Sequence, residues 1–244
     1  MRPFRHCCTL LLALTAAGPA AAEIVRFDTN FGSFDVELSS DSALATTVNN
    51  FLAYVNDGLY ANTIIHRSTI YNPTSIQIIQ GGSYVLDGTT LNPVSTAPPI
   101  PLQAVAANLR GTIAMARTSD PNSATSGWFF NVTNNPGLDF NYAVFGAVVN
   151  TVENPGLSVI DAIAGLPVYD ASAPLGPAFG ELPLSAPSLQ VSSLVIVNNV
   201  AVVPEPSTLA LAAGGIGLAL AAARRKRQIA RSSRSDVRLD LFNV

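Results

Sequence analysis

Short apolar runs, each closed by a turn residue, recur along the middle of this chain and confine it to a fold built from many brief strands. Residues 24–30 alternate apolar and polar, Phe31-Gly32-Ser33 supplies a turn, and residues 34–38 alternate again, which predicts a β-hairpin. The period then changes. Leu44, Val48, Phe51, Leu52 and Val55 fall on one helical face, with Ser42 as the cap and Gly58 as the stop. Further strand-like runs lie at 63–66, 76–80, 111–116, 128–132, 143–149 and 191–197, with a short helix near 157–164. Many short strands with two helices predict a mainly β fold, a closed barrel plugged by helices. The Pro-rich stretches 85–109 and 167–187 read as surface loops.

The two ends do not fit that pattern. Only 12% of the 244 residues are charged and mean hydropathy is +0.34, whereas an ordinary soluble domain carries roughly 25% charged residues. Arg2 and Arg5 precede an apolar run from Leu10 to Ala17, followed by Gly18, Pro19 and a small-residue cleavage site at Ala20-Ala21-Ala22, so residues 1–22 read as a secretory signal peptide. Both cysteines, Cys7 and Cys8, fall inside it, which leaves the mature chain without disulfide, thiol nucleophile or thiolate metal site. Residues 207–223 are uncharged, rich in Leu, Ala and Gly, and followed at once by Arg224-Arg225-Lys226-Arg227. Seventeen residues is the lower limit of the range that spans a hydrocarbon core of about 30 Å, and the basic cluster marks the cytoplasmic side. The expected organisation is a signal peptide at 1–22, one domain at 23–198, a linker at 199–206, a membrane helix at 207–223 and a basic tail at 224–244.

Immediately before the apolar run stand Pro204, Glu205 and Pro206. This tripeptide, the short apolar helix and the Arg-rich end together resemble the PEP-CTERM sorting signal. The resemblance implies export in a Gram-negative envelope, transient anchoring in the inner membrane, and an exosortase-like processing enzyme as partner. The further tail from Gln228 to Val244 departs from the usual pattern, in which the basic cluster ends the chain.

Between the ends the chain is acidic. From Glu23 to Val203 four arginines and no lysine stand against thirteen Asp and Glu, a net charge of −9. Phosphate binding needs a basic face, so nucleic acid is not expected as a partner. His66 is the only histidine after signal removal, which excludes a metal site of several imidazoles, and neither a Gly-x-Ser-x-Gly elbow nor a phosphate-cradling loop occurs. On residue statistics alone, a single His between Ile65 and Arg67 is more often packed and hydrogen-bonded than catalytic, and an Arg is more often a solvated charge.

A set of neighbours changes that balance at Arg67. Leu59-Tyr60, Thr63-Ile64-Ile65-His66-Arg67, Ile79-Gln80-Gly81-Gly82, Arg110 through Arg117, Asn122 through Ser126, Phe129-Phe130-Asn131, Leu138-Asp139 and Tyr142 through Gly146 resemble the cyclophilin family in order and spacing, over about Val25 to Ile163. The resemblance implies a closed eight-stranded antiparallel barrel with two capping helices, and peptidyl-prolyl cis-trans isomerase activity on Pro-containing polypeptides. It implies Arg67 as the catalytic residue. It also implies Gln80, Phe129 and Leu138 in the substrate pocket, Ile78 in place of a pocket methionine, Tyr142 in place of a pocket histidine, Met115 in the apolar floor, and Ala116 and Arg117 as the backbone stretch that holds the residue before proline. Gln77 stands where an aromatic is usual, Gly127 where Gln or Glu follows the Ser, and the segment from Arg67 to Gln80 is five residues longer than in the family. A non-catalytic cyclophilin-like module that binds Pro-containing segments is the alternative that these departures support.

That chemistry needs no cofactor or metal. Twisting an amide costs its resonance, with a barrier near 18–20 kcal/mol, while the X-Pro end states differ by only about 0.5–1 kcal/mol. No bond breaks. What helps is a hydrogen-bond donor that is stronger in the twisted state, in which the proline nitrogen regains its lone pair, together with an apolar floor that holds the ring.

Overall fold

The computed structural model describes residues 22–69 and 76–204, so the expected signal peptide (apart from Ala22), the apolar run at 207–223 and the basic tail lie outside the described residues. The hairpin forms as expected from β1 (Ile24–Thr29) and β2 (Gly32–Leu38), with Val25 opposite Val36 and Phe27 opposite Phe34, all four buried. On the other face Arg26 and Asp35 pair across the strands, Nε donating to Oδ1 at 2.7 Å and Nη2 to Oδ2 at 2.8 Å. Helix α1 (Ala45–Asn56) follows and ends at Gly58, whose φ of 68° is the left-handed conformation that glycine adopts without strain. The expected cap at Ser42 is corrected. A 3-10 turn at Ser42–Leu44 leads into α1, and Asp41 caps that turn by accepting the Ala43 N–H at 2.9 Å.

Strands β3 (Thr63–Ser68), β4 (Ile78–Asp87), β5 (Thr90–Pro93), β6 (Thr112–Met115), β7 (Trp128–Asn131) and β8 (Val144–Val148) come next. They are followed by helix α2 (Gly156–Ala164), then β9 (Val168–Tyr169), α3 (Ser172–Leu175), β10 (Leu182–Pro183) and β11 (Ile196–Val202). The sheet runs β3-β11-β1-β2-β8-β6-β7-β4, and the further pairing of β3 with β4 closes it into an eight-stranded antiparallel barrel. Closure removes the two free edges that an open sheet would present. Strand β5 adds to β4 outside the ring as a short hairpin.

Aromatic rings fill the barrel. Phe27 stacks on Phe34 at 5.2 Å and meets Trp128 and Phe130 edge-on at 5.2 and 5.4 Å. Each such pair contributes about 0.5–1.5 kcal/mol beyond its buried area. Both long helices join the same core: Phe51 of α1 lies 5.0 Å from Phe145, and Ile160 and Ile163 of α2 are fully buried in it.

Three sequence expectations are corrected here. The stretch 85–109 is not all loop, because β4 continues to Asp87 and turns at Gly88 into β5. The stretch 167–187 folds into β9, α3 and β10 and buries Phe179, Leu182 and Leu184 in a second, smaller core. Its strands have two residues each, too few to show a period. The last strand also sits later than expected: Val191–Ser193 is a 3-10 turn and β11 runs through Val202, so strand structure continues through the first half of the expected linker. Val197 and Val200 are both buried, and their spacing of three conceals the strand period.

Candidate active site

One transverse row of residues crosses the outside of the barrel. Arg67 on β3 is register partner of Gln80 on β4, Gln80 of Phe129 on β7, Phe129 of Ala114 on β6, and Ala114 of Val144 on β8. Two register shifts in the β3–β4 pairing, between Thr63 and Ile65 and between Ile65 and Arg67, break the regular alternation just before Arg67. Such bulges re-aim a side chain. Here Ile64, Ile65 and His66 are all buried while Arg67 emerges half-exposed.

The row opens into a cavity of about 440 Å³. Of the residues expected at a substrate site, Arg67, Ile78, Gln80, Ala116, Arg117, Phe129, Leu138 and Tyr142 line it together. Its floor is apolar, with Phe129, Ile78 and Leu138 packed as one cluster and each less than a tenth exposed. Tyr142 meets Phe129 edge-on at 5.3 Å, and the Arg117 guanidinium lies 4.6 Å from the centre of the Tyr142 ring. Arg117 is fixed further by donating from Nε to the Asn141 carbonyl at 2.9 Å and from Nη1 to that of Thr118 at 2.8 Å. Ala116 N–H donates to the Gly127 carbonyl at 2.9 Å, which ties the end of β6 to the start of β7.

Two expectations are corrected at the cavity. Met115 does not reach it: with Ile113 it faces the barrel interior at 1% exposure, while Ala114 faces the cavity cluster, as the two-residue period of β6 requires. Gln77 does not line it either. Its neighbours Ile76 and Ile78 do, so residue 77 falls on the opposite face of the chain. The Gln77 backbone is instead clamped by Asn135, whose Oδ1 accepts the Gln77 N–H and whose Nδ2 donates to the Gln77 carbonyl, both at 3.0 Å. That clamp ties the Ile76–Ile78 wall to the 3-10 turn Pro136–Leu138 that carries Leu138.

Thr69, Ile76 and Glu181 complete the lining and were not anticipated. Glu181 has the largest consequence. The Arg67 Nε donates to Glu181 Oε2 at 2.7 Å, and Arg67 Nη1 lies 3.5 Å from Gln80 Oε1. The guanidinium is thus held on two edges while facing the cavity. Both partners of the ion pair are nearly half exposed, at 43% and 46%, so the pair contributes orientation far more than stability. Glu181 is 114 residues from Arg67, in a stretch without local sequence signal.

His66, beside Arg67, is 3% exposed and packs edge-on to Tyr84 at 5.0 Å. Burial, and secondarily the Arg67 charge, lowers its pKa from 6.5 to about 4, against a weaker opposing effect of a backbone hydrogen bond at Ile64. A neutral, buried imidazole does not serve as an acid or base for the cavity.

Residues 24–178 match the family described as cyclophilin type peptidyl-prolyl cis-trans isomerase/CLD, and residues 202–227 match the PEP-CTERM protein-sorting motif. The chain is 39% identical over 161 residues to a peptidyl-prolyl cis-trans isomerase of Acinetobacter baylyi, covering 63% of this chain and 78% of that protein. It is 41% identical over 147 residues to peptidyl-prolyl cis-trans isomerase A of Dickeya dadantii, covering 56% and 73%. In fold it is similar to a Cryptosporidium parvum cyclophilin type peptidyl-prolyl cis-trans isomerase solved in the presence of the dipeptide Ala-Pro, with a TM-score of 0.53 at 23% identity, covering 75% of this chain and 99% of that one.

Proposed function

Because the chain belongs to the cyclophilin-type peptidyl-prolyl cis-trans isomerase family and carries a PEP-CTERM sorting motif, we propose that it isomerises X-Pro bonds in exported polypeptides, with Arg67 as the catalytic residue. The observation that supports this role is the row Arg67–Gln80–Phe129: a guanidinium donor, the amide that steadies it and the ring beneath the proline stand on three adjacent strands.

Proline enters with its ring on Phe129, Ile78 and Leu138, displacing water from apolar surface at roughly 25 cal/mol per Å². Ala116 and Arg117 hold the residue before proline through its backbone. Arg67 then donates toward the prolyl nitrogen and carbonyl. In the planar amide the nitrogen lone pair is delocalised and accepts poorly; in the twisted state it is localised and accepts well, so the same donor favours the transition state over both ground states. The donor is held in place before the reaction, so it needs no reorganisation when the bond turns. No proton is transferred.

The sorting motif supports a location outside the cytoplasm. The signal peptide directs export, residues 207–223 hold the chain transiently in the inner membrane, and an exosortase-like enzyme acts near Pro204–Pro206. Among the described residues no helix is long and apolar enough to cross a membrane. Intact-mass analysis of the protein recovered from cells tests this: a species from Glu23 to about Pro204 supports sorting, one ending at Val244 supports permanent anchoring, and a chain starting at Met1 in the cytosol contradicts both.

The activity is tested by NMR exchange spectroscopy on an Ala-Pro peptide. Catalytic amounts of the protein are expected to bring the cis and trans signals into exchange, and their failure to do so supports a binding module without catalysis.

A further inference from the structure

A second cavity, also of about 440 Å³, lies beyond Arg67. It shares Arg67, Gln80 and Glu181 with the proline cavity and is lined in addition by His66, Pro177, Ala178 and Gly180. Its outer wall comes from the 167–187 stretch, within which the family match ends at residue 178, so that Gly180 and Glu181 lie beyond it. We propose that this cavity receives the side chain following the proline, and that Glu181 and Asp170 make it select basic over acidic residues there.

The direction of the bound peptide comes first, and it rests on the isomerase reading above. Ala116 and Arg117, which hold the residue before proline, follow β6, and Arg67 is on β3, with β7 and β4 between them. Three strand spacings make roughly 14 Å. A peptide running from Arg117 across Phe129 to Arg67 meets the second cavity with the next side chain.

Charge supplies the preference. Glu181 spends one carboxylate oxygen on Arg67 Nε, and its Oε1 accepts no hydrogen bond among the described residues. A second carboxylate stands near the lining residue Gly180: the Asp170 Oδ1, which accepts the Ser172 N–H at 2.9 Å, lies 3.9 Å from where a Gly180 Cβ would stand. Two carboxylates against one guanidinium leave an excess negative charge, on a body whose net charge is already −9. His66, although 3% exposed, borders the cavity, and its Nδ1 has no partner among the described residues. Buried polar atoms without partners are uncommon and invite a hydrogen bond. At the far end the charge is reversed, because Arg117 is bound only by backbone carbonyls and the Tyr142 face and forms no ion pair among the described residues.

The test compares two peptides that differ only after proline, Ala-Ala-Pro-Lys and Ala-Ala-Pro-Glu, both with blocked termini, using the full chain. NMR gives kcat/KM for each, and titration gives Kd. The Lys peptide is expected to be favoured roughly three- to fivefold at low ionic strength, the range for partly exposed charge pairs, and the two should converge at about 0.5 M salt. Glu181→Gln is expected to abolish or invert the preference, because the Arg67 charge is then uncompensated. Glu181→Asp should keep its sign, and Asp170→Asn should reduce it. Loss of Arg67 orientation alone would slow both peptides equally and leave their ratio unchanged. Equal values for the two peptides in the unmodified protein, or the same ratio in Glu181→Gln, overturns the proposal. If neither peptide is isomerised, the catalytic reading fails and the Kd ratio still decides the subsite.

Discussion

Arg67 and Gln80 are cross-strand partners on β3 and β4, and their side chains meet at 3.5 Å between Nη1 and Oε1. The contact is long for a hydrogen bond, so Gln80 steadies the guanidinium without immobilising it. The shorter contact, 2.7 Å to Glu181, sets the plane. Gln80→Ala is therefore expected to lower kcat about tenfold while leaving KM within about twofold, a smaller loss than from removing a donor to the transition state. A change confined to KM would show that Gln80 contacts the ground state instead.

Position 77 separates the sequence expectation from the structure. An aromatic at a cavity-facing position would cover the proline ring and tighten binding. Since Ile76 and Ile78 line the cavity and Gln77 does not, Gln77→Phe is expected to leave peptide affinity unchanged, whereas Ile78→Ala should weaken it by about 1 kcal/mol or more through lost apolar contact. Calorimetric titration of both variants with one Ala-Pro peptide checks the pair, and tighter binding by Gln77→Phe would refute the assigned facing.

Gly82 has a φ of 76°, and a Cβ there would run into the Trp128 indole; at Gly81 a Cβ would approach Trp128 Cη2 to 2.6 Å. Trp128 is the only tryptophan and is fully buried in the barrel. Gly82→Ala is expected to cost about 2 kcal/mol or more, from the left-handed backbone and overpacking together. Unfolding followed by Trp128 fluorescence reads this directly, and a loss below about 0.5 kcal/mol would mean that the indole can move aside.

His66 makes stability depend on pH. Its pKa is about 4 when folded against 6.5 unfolded, so between those values the unfolded chain binds the extra proton. Its contribution is neutral above pH 6.5 and becomes increasingly destabilising as pH falls towards 4, reaching about 3 kcal/mol. His66→Leu should flatten that part of the stability curve relative to the unsubstituted protein. Parallel curves for the two from pH 7 to pH 4 would show that His66 is protonated in the fold.

The parts of the site legible in the sequence are those that stand in motifs resembling the family, since β3, β4 and β7 bury consecutive residues and show no clear period. Arg67, Gln80 and Phe129 each stand in such a motif, and it is the register pairing of the three strands that brings them into one row. Met115 faces the barrel interior, which apolarity alone does not reveal: in a four-residue strand the facing of every side chain depends on the register, and an apolar residue suits either face. Glu181 was invisible for a different reason: it reaches Arg67 across 114 residues from a stretch of Pro, Gly and two-residue strands, where neither alternation nor spacing specifies what faces the site. The acid cap of the turn before α1 was missed by one residue, because Asp41 and Ser42 are both good capping residues and only geometry distinguishes them.

The central claim is that Arg67 acts on the twisted amide and not on the planar substrate. It is tested most directly by measuring isomerisation and peptide affinity side by side for the unsubstituted protein and Arg67→Ala, with NMR exchange for the rate and titration for Kd. The account predicts that turnover falls about 10²-fold or more while Kd changes by less than about threefold, the pattern left by removing an interaction made mainly in the transition state. Equal isomerisation rates for the two proteins, or a loss of rate matched by an equal loss of affinity, would contradict it.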